Sequence, residues 1–397
     1  MRLIRSLSPW LFSALLLSAC GGGDPDVAGS GSPSGAPTSK GSFSSIVVFG
    51  DSLSDDGAYS PATSEVPGSG NPPFFGGRFT TNATSTAMGG PDPTTPTGKI
   101  WVDLLAASLN IVVTPAQEGF GASSVMCPAA ALGLGASCTD YAQGGSRVTD
   151  PNGINHAQGA LTVPVVTQIA NHLARFGSFK SSDLIFVYAG SNDVFVQFGT
   201  FAATAATIQA QAAAGTITAD QANQALFLAQ QTAEAGMKQA AQELVADIET
   251  QILAKGGQYV AVMELSDISD TPLGNTEIPP SARPVLTALS QTFNLWLHDG
   301  LTGQPVQIIG TYALFKDVYT NPATYGFTDV TSMACDPAKD NGSSLFCNAT
   351  PGDPYFGLRA GANINTWLFA DDVHPTTGGH KALFTAFTAA LKSFGWI

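Results

Sequence analysis

Short blocks that are apolar at nearly every position alternate along this chain with stretches whose apolar residues recur every three or four positions. The first kind comprises Ile46–Phe49, "DLIFVYAGSND" (183–193), which ends on a glycine and polar residues, "QYVAVMELSD" (258–267) and "VQIIGTY" (306–312). Strands apolar on both faces are buried on both faces, the condition of a parallel sheet covered by two helical layers. The second kind comprises "KIWVDLLAASLN" (99–110), "VPVVTQIANHLARFG" (163–177), closed by Gly177, and "PTTGGHKALFTAFTAALKSFG" (375–395). The alternation predicts an α/β three-layer sandwich with a central, mostly parallel sheet, formed by residues 45–397 as one domain.

Residues 200–256 break this rhythm. They are rich in Ala, Gln and Glu, which favour helix. Thr218-x-x-Gln221 fits a capping box, Gly256-Gly257 a stop, and Met237, Ala241, Leu244, Ile248 and Ile252 share one helical face. The pattern predicts a helical hairpin insertion, read equally well as a lid or as a solvated appendage.

The N-terminus is of another character. Residues 1–19 carry Arg2, Arg5 and an apolar run too short to span a membrane, followed by Leu17-Ser18-Ala19-Cys20, a secretory signal. Leu-Ser-Ala-Cys resembles the bacterial lipobox, which makes Cys20 the lipidated first residue of the mature chain. Gly21 fits delivery to the outer membrane, so the expected location is the cell envelope, or the medium after release. Residues 20–44 have the Gly/Ser/Pro composition of a flexible tether.

The formal charge of −14, with Lys and Arg scarce and unclustered, argues against nucleic acid and against anionic membrane surfaces as partners. Apart from Cys20 there are four cysteines, an even number in an exported chain. Of the three possible connectivities the local one is preferred, Cys127–Cys138 with Cys335–Cys347, because each pair closes a loop rich in turn residues. With no C-x-x-C and no histidine nearby, these cysteines do not suggest a metal site.

Polar residues collect at the C-terminal ends of the apolar blocks, where open α/β sheets place their sites. The first block runs into Gly50-Asp51-Ser52-Leu53, presenting Ser52 as a nucleophile. A nucleophilic serine needs a base, a carboxylate to fix the base's tautomer, and donors for the oxyanion. Of five histidines, His172, His298 and His380 sit in helical patterns and His156 lacks a close acidic neighbour. His374 follows Asp371 by three positions and precedes Pro375, which holds it out of the following helix.

Taken together, "FGDSLSD" around Ser52, "DYAQGGS" (140–146), "YAGSNDVF" with Gly190, Asn192 and Asp193, and "DDVHPT" with Asp371 and His374 resemble, in order, the four blocks of the GDSL esterase/lipase family, or SGNH hydrolases. The resemblance implies a flavodoxin-like fold and an ester hydrolase working through an acyl-enzyme without cofactor. It implies Ser52 as nucleophile, His374 as general base and then acid, and Asp371 (rather than Asp372) orienting the imidazole. The implied oxyanion hole is the Ser52 and Gly145 amides with the Asn192 side chain, Gly144 being the alternative to Gly145. Asp51 and Asp193 are expected to brace their loops. No G-x-S-x-G elbow occurs, which disfavours the ordinary α/β-hydrolase fold. Two departures stand out: Asp140 replaces the usual Asn, and the segment from Asn82 to Lys99 is long. The expected partner is a small-molecule or lipid ester. Lysophospholipase or acyltransferase activity, polysaccharide O-acetyl esterase activity, and silent lipid or glycan binding are the alternatives.

Overall fold

The computed structural model describes residues 33–63, 77–85, 90–91, 97–353 and 355–397. The expected signal peptide, Cys20 and most of the segment between Asn82 and Lys99 lie outside the described residues. Strands β1 (Ser45–Gly50), β2 (Thr114–Pro115), β3 (Gln117–Phe120), β4 (Ser123–Met126), β5 (Cys138–Asp140), β6 (Asp183–Tyr188), β7 (Tyr259–Met263) and β8 (Gln307–Ile309) precede β9 (Asp329–Met333) and β10 (Trp367–Phe369). The main helices are α1 (Trp101–Ser108), α2 (Val165–Phe176), α3 (Ser191–Ala213), α4 (Ala219–Asp247), α5 (Arg283–Gly300), α6 (Thr311–Thr320) and α7 (Thr377–Ser393).

The central sheet has six parallel strands in the order β8-β7-β6-β1-β5-β2. Period-two alternation divides its apolar side chains between two cores. Val47, Phe49, Ile185, Val187, Val260 and Val262 face one way, against α2 to α5. Ile46, Val48, Leu184, Phe186, Ala261 and Met263 face the other, against α1 and α7. Every residue of β6 and β7 is buried, as the unbroken apolar blocks require. The result is the expected three-layer α/β sandwich with a mostly parallel sheet.

The helical hairpin exists, but it starts at Ser191 rather than near residue 200, because Val194, Phe198 and Phe201 carry the buried face back to the end of β6. Thr218 and Gln221 form the predicted capping box, and Gly256, with φ of +97°, ends the run. Met237, Ala241, Leu244, Ile248 and Ile252 are all buried in the first core. The second half of α4 therefore belongs to the helical layer, which corrects the appendage reading there.

A second correction concerns residues 34–44. Trp396 is fully buried and donates its indole N–H to the Pro37 carbonyl at 2.6 Å, Ser34 donates to Gln304 at 2.8 Å, and Ala36 and Phe43 pack on the second core. This half of the expected tether is held by the domain. Cys127–Cys138 and Cys335–Cys347 are both paired, with Cα separations of 5.4 and 5.9 Å. Among the described residues, no helix is long and apolar enough to cross a membrane.

Candidate active site

β1 ends on Gly50 because only glycine fits there: a Cβ would stand 2.3 Å from the Tyr188 carbonyl oxygen of β6. The chain turns at once, with the Leu53 and Ser54 amides donating to the Oδ1 and the carbonyl of Asp51. Asp51 is wholly buried, and burial raises its pKa to about 6 against the opposing Leu53 hydrogen bond. Gln168 of α2 holds Gly50 from the side, accepting its N–H at 2.9 Å and donating to its carbonyl at 2.8 Å. Trp101 donates its indole N–H to the Leu53 carbonyl at 3.0 Å. Ser52 is thus presented on a turn fixed from both sides.

His374 reaches that serine from the other end of the chain. Its Nε2 lies 2.8 Å from Ser52 Oγ, and its Nδ1 lies 2.8 and 2.9 Å from the two oxygens of Asp371. Residues 370–374 form a tight loop closed by the Ala370 amide on the His374 carbonyl, at 2.7 Å. Within it Asp371 Oδ1 accepts the amides of Val373 and His374. The Ser344 amide, from the loop closed by Cys335–Cys347, donates to Asp371 Oδ2 at 2.7 Å. The Phe79 ring lies against the imidazole, 4.8 Å between centroids.

Electrostatics follow from this packing. Burial opposes ionisation of Asp371, yet the charge and ring N–H of His374 and the Ser344 amide hold it well below the carboxylate range. Burial likewise penalises the imidazolium, but the Asp371 carboxylate outweighs it and raises the His374 pKa above its ordinary 6.5. Asp372 makes no bond to the ring; burial and the neighbouring Asp371 charge push it up to about 7.

The third component is the loop after β5. Its Gln143 amide donates to the Gly50 carbonyl at 3.2 Å, placing residues 143–145 beside the serine turn. Gly144 donates its amide to Asp55 Oδ2 at 2.8 Å, whereas no described residue accepts from the Gly145 amide. Of the two glycines left open by the sequence, Gly144 therefore has its amide engaged. Gly145 has φ of +86°, and a Cβ there would meet the Ile154 carbonyl at 2.4 Å. Asn192 is the second residue of α3, nearly buried, with one side-chain N–H donated to the Ser146 carbonyl at 2.9 Å. Its other N–H and the positive end of α3 offer stabilisation to a developing anion. Asp193 ties the two blocks together by accepting from Arg147 Nε at 2.8 Å and the Val148 amide at 3.1 Å.

The family model for GDSL-like lipase/acylhydrolase matches residues 46–387. The chain belongs to that family. A GDSL esterase/lipase of Arabidopsis thaliana is 35% identical over 75 residues, a match covering 19% of this chain and 18% of the plant protein.

The GDSL-family blocks thus meet at one end of the sheet. The other histidines stand apart. His172 is stacked on Phe179 at 4.3 Å, its pKa lowered to about 4 by burial; His298 bonds Glu264, His156 bonds Thr162, and His380 is buried against the Phe79 carbonyl. The one trio of potential metal ligands among the described residues is Cys335, Asp340 and Cys347, whose thiols are consumed in a disulfide.

Two supports of the site have no motif in the sequence. Gln168 is one; its polar side chain interrupts the apolar stripe Val165, Ile169, His172, which was the available signal. The other is a buried acidic cluster behind the Gly144 loop. Asp55 accepts the amides of Gly57, Ala58 and Gly144; Asp56 pairs with Arg78 at 2.6 Å; Asp140 accepts the amides of Asp56 and Ala142. Burial raises all three carboxyls, Asp55 to about 6 and Asp56 and Asp140 well above the ordinary value. Asp140 uses both oxygens as acceptors, something an Asn cannot do.

Proposed function

We propose that this chain is a serine-dependent carboxylic ester hydrolase that works through an acyl-enzyme. Membership of the lipase/acylhydrolase family implies ester hydrolysis; the mechanism is our reading of the site. His374 Nε2 takes the proton of Ser52 Oγ as the oxygen attacks the ester carbonyl, and returns it to the departing alcohol. Water, deprotonated by the same nitrogen, then attacks the acyl carbonyl and frees Ser52. Asp371 keeps the Nδ1–H tautomer and stabilises the imidazolium. The Ser52 and Gly145 amides and Asn192 Nδ2 receive the oxyanion.

The observation carrying this reading is the continuous bonded line Asp371–His374–Ser52, with 2.8 Å between Nε2 and Oγ. It is tested by Ser52→Ala and a soluble p-nitrophenyl ester: turnover should vanish while the thermal midpoint holds, and retained turnover refutes the assignment. We further propose, from residues 1–20, export and lipidation at Cys20; metabolic labelling with a fatty acid, lost in Cys20→Ser, is the check.

A further inference from the structure

Ten large hydrophobic side chains are substantially exposed among the described residues, and six of them fall between positions 112 and 134. They are Val112, Phe120, Val125, Met126, Leu132 and Leu134, with Leu132 79% exposed and Val125 59%. Monomeric proteins seldom concentrate bare apolar surface in this way without using it.

β3 is tied to the domain by the Gly119 amide on the Ala58 carbonyl, at 2.8 Å, and β4 lies outside it. β3 and β4 form an antiparallel hairpin, and all four residues of β4 are exposed. Its register places Val125 opposite Glu118 and Phe120 opposite Ser123 on one face, with Met126 opposite Gln117 on the other. Phe120 and Val125 thus share one face with Glu118 and Ser123, and Met126 shares the other with Gln117, Gly119 and Ser124. β4 runs into the loop closed by Cys127–Cys138, which carries Leu132 and Leu134.

Charge narrows the partner. From Asn110 to Cys138 the sole ionisable side chain besides the paired cysteines is Glu118, half-buried and raised by burial, and there is no Lys or Arg. The nearest cation, Arg175 of α2, has its guanidinium engaged by the Cys138 and Gly135 carbonyls and the Cys127 Sγ, and the chain charge of −14 opposes an anionic surface. A neutral lipid surface matches.

The face also adjoins the candidate site. Gln117 of the hairpin accepts from Gln143 at 3.1 Å, and the Gly121 amide donates to the Gly159 carbonyl at 2.6 Å. The same 154–159 loop donates the Ile154 amide to the Gly145 carbonyl at 2.9 Å.

We infer that the β3–β4 hairpin and the Cys127–Cys138 loop dock the protein on the surface of an aggregated neutral lipid ester, beside the loop that carries Gly145. That the lipid is also substrate rests on the ester-hydrolase reading above; the docking does not.

The test uses Ser52→Ala with Cys20→Ser, so that no lipid is consumed and no acyl anchor contributes, in flotation with a trioctanoin emulsion. The parent should float, and adding Val125→Asp and Leu132→Asp should weaken binding by roughly a hundredfold, the scale of two lost apolar burials. With Ser52 intact, the double variant should hydrolyse soluble p-nitrophenyl acetate as the unmodified protein does, which verifies its fold; a Val125→Ser/Leu132→Ser pair gives a milder change with the same expected direction. Absence of flotation, or equal flotation of parent and variants, overturns the inference. So does a dimer in light scattering that the double variant dissociates, which assigns the face to a second copy. Differential flotation without any p-nitrophenyl acetate turnover would leave the docking standing and remove the hydrolase reading.

Discussion

Gln168 grips Gly50 with both ends of its side-chain amide, accepting the glycine N–H at 2.9 Å and donating to its carbonyl at 2.8 Å. The contact fixes the last residue of β1, two positions before the candidate nucleophile, in a setting closed to water. Gln168→Leu keeps the helix and the volume but orphans a buried amide, which costs on the order of 1–3 kcal/mol. The expected result is a lower unfolding midpoint together with a lower kcat and little change in KM. A variant as active as the parent would mean that the turn holds Ser52 without help.

The two disulfides should differ in what they support. Each closes a loop of similar length and should contribute roughly 3 kcal/mol of stability in the chain-entropy model. Only the Cys335–Cys347 loop touches the triad, through the Ser344 amide on Asp371 Oδ2 at 2.7 Å. Replacing that pair with serines should reduce kcat by about 10- to 100-fold, the scale of a small misplacement. The Cys127→Ser/Cys138→Ser variant should keep kcat on a soluble ester. Equal losses would break the proposed link.

In the proposed mechanism His374 must be neutral to accept the Ser52 proton. Its pKa is raised above 6.5 because Asp371 outweighs burial, so the acid limb of kcat/KM should have its midpoint above 6.5, activity falling as the pH drops through it. In Asp371→Asn the midpoint should move down while kcat falls about 10³- to 10⁴-fold, the tautomer being lost. A limb that stays in place would show that Asp371 does not act on the imidazole.

Asp140 tests the buried acidic cluster. Its folded-state pKa is raised by burial and by Asp56 and Asp55, so its contribution to stability is present below the ordinary carboxylate value and is lost as pH rises through the raised one. Asn has no such dependence. The unfolding midpoint of Asp140→Asn minus that of the parent should therefore increase as the pH rises from about 4 through the raised pKa. A difference independent of pH would mean that Asp140 titrates as an ordinary carboxyl.

Strand blocks, local cysteine pairs and the position of His374 before Pro375 could be read directly, because each depends on neighbours in sequence. β2 is two residues long and the β3–β4 hairpin mixes apolar with small polar positions, so neither carries a clear period. The start of α3 is hidden in the sequence because the composition turns to Ala and Gln near residue 200, while the buried face begins at Asn192. Residues 34–44 have a linker's composition and are held by Trp396, some 350 positions away. The support of Asp371 by Ser344 is made by a backbone amide, which no residue type announces.

The most direct measurement is intact-mass analysis with peptide mapping after treatment with a fluorophosphonate. One adduct per chain is expected, on Ser52, absent from Ser52→Ala and slowed in His374→Ala. An unmodified chain, or an adduct carried by another serine, would contradict it.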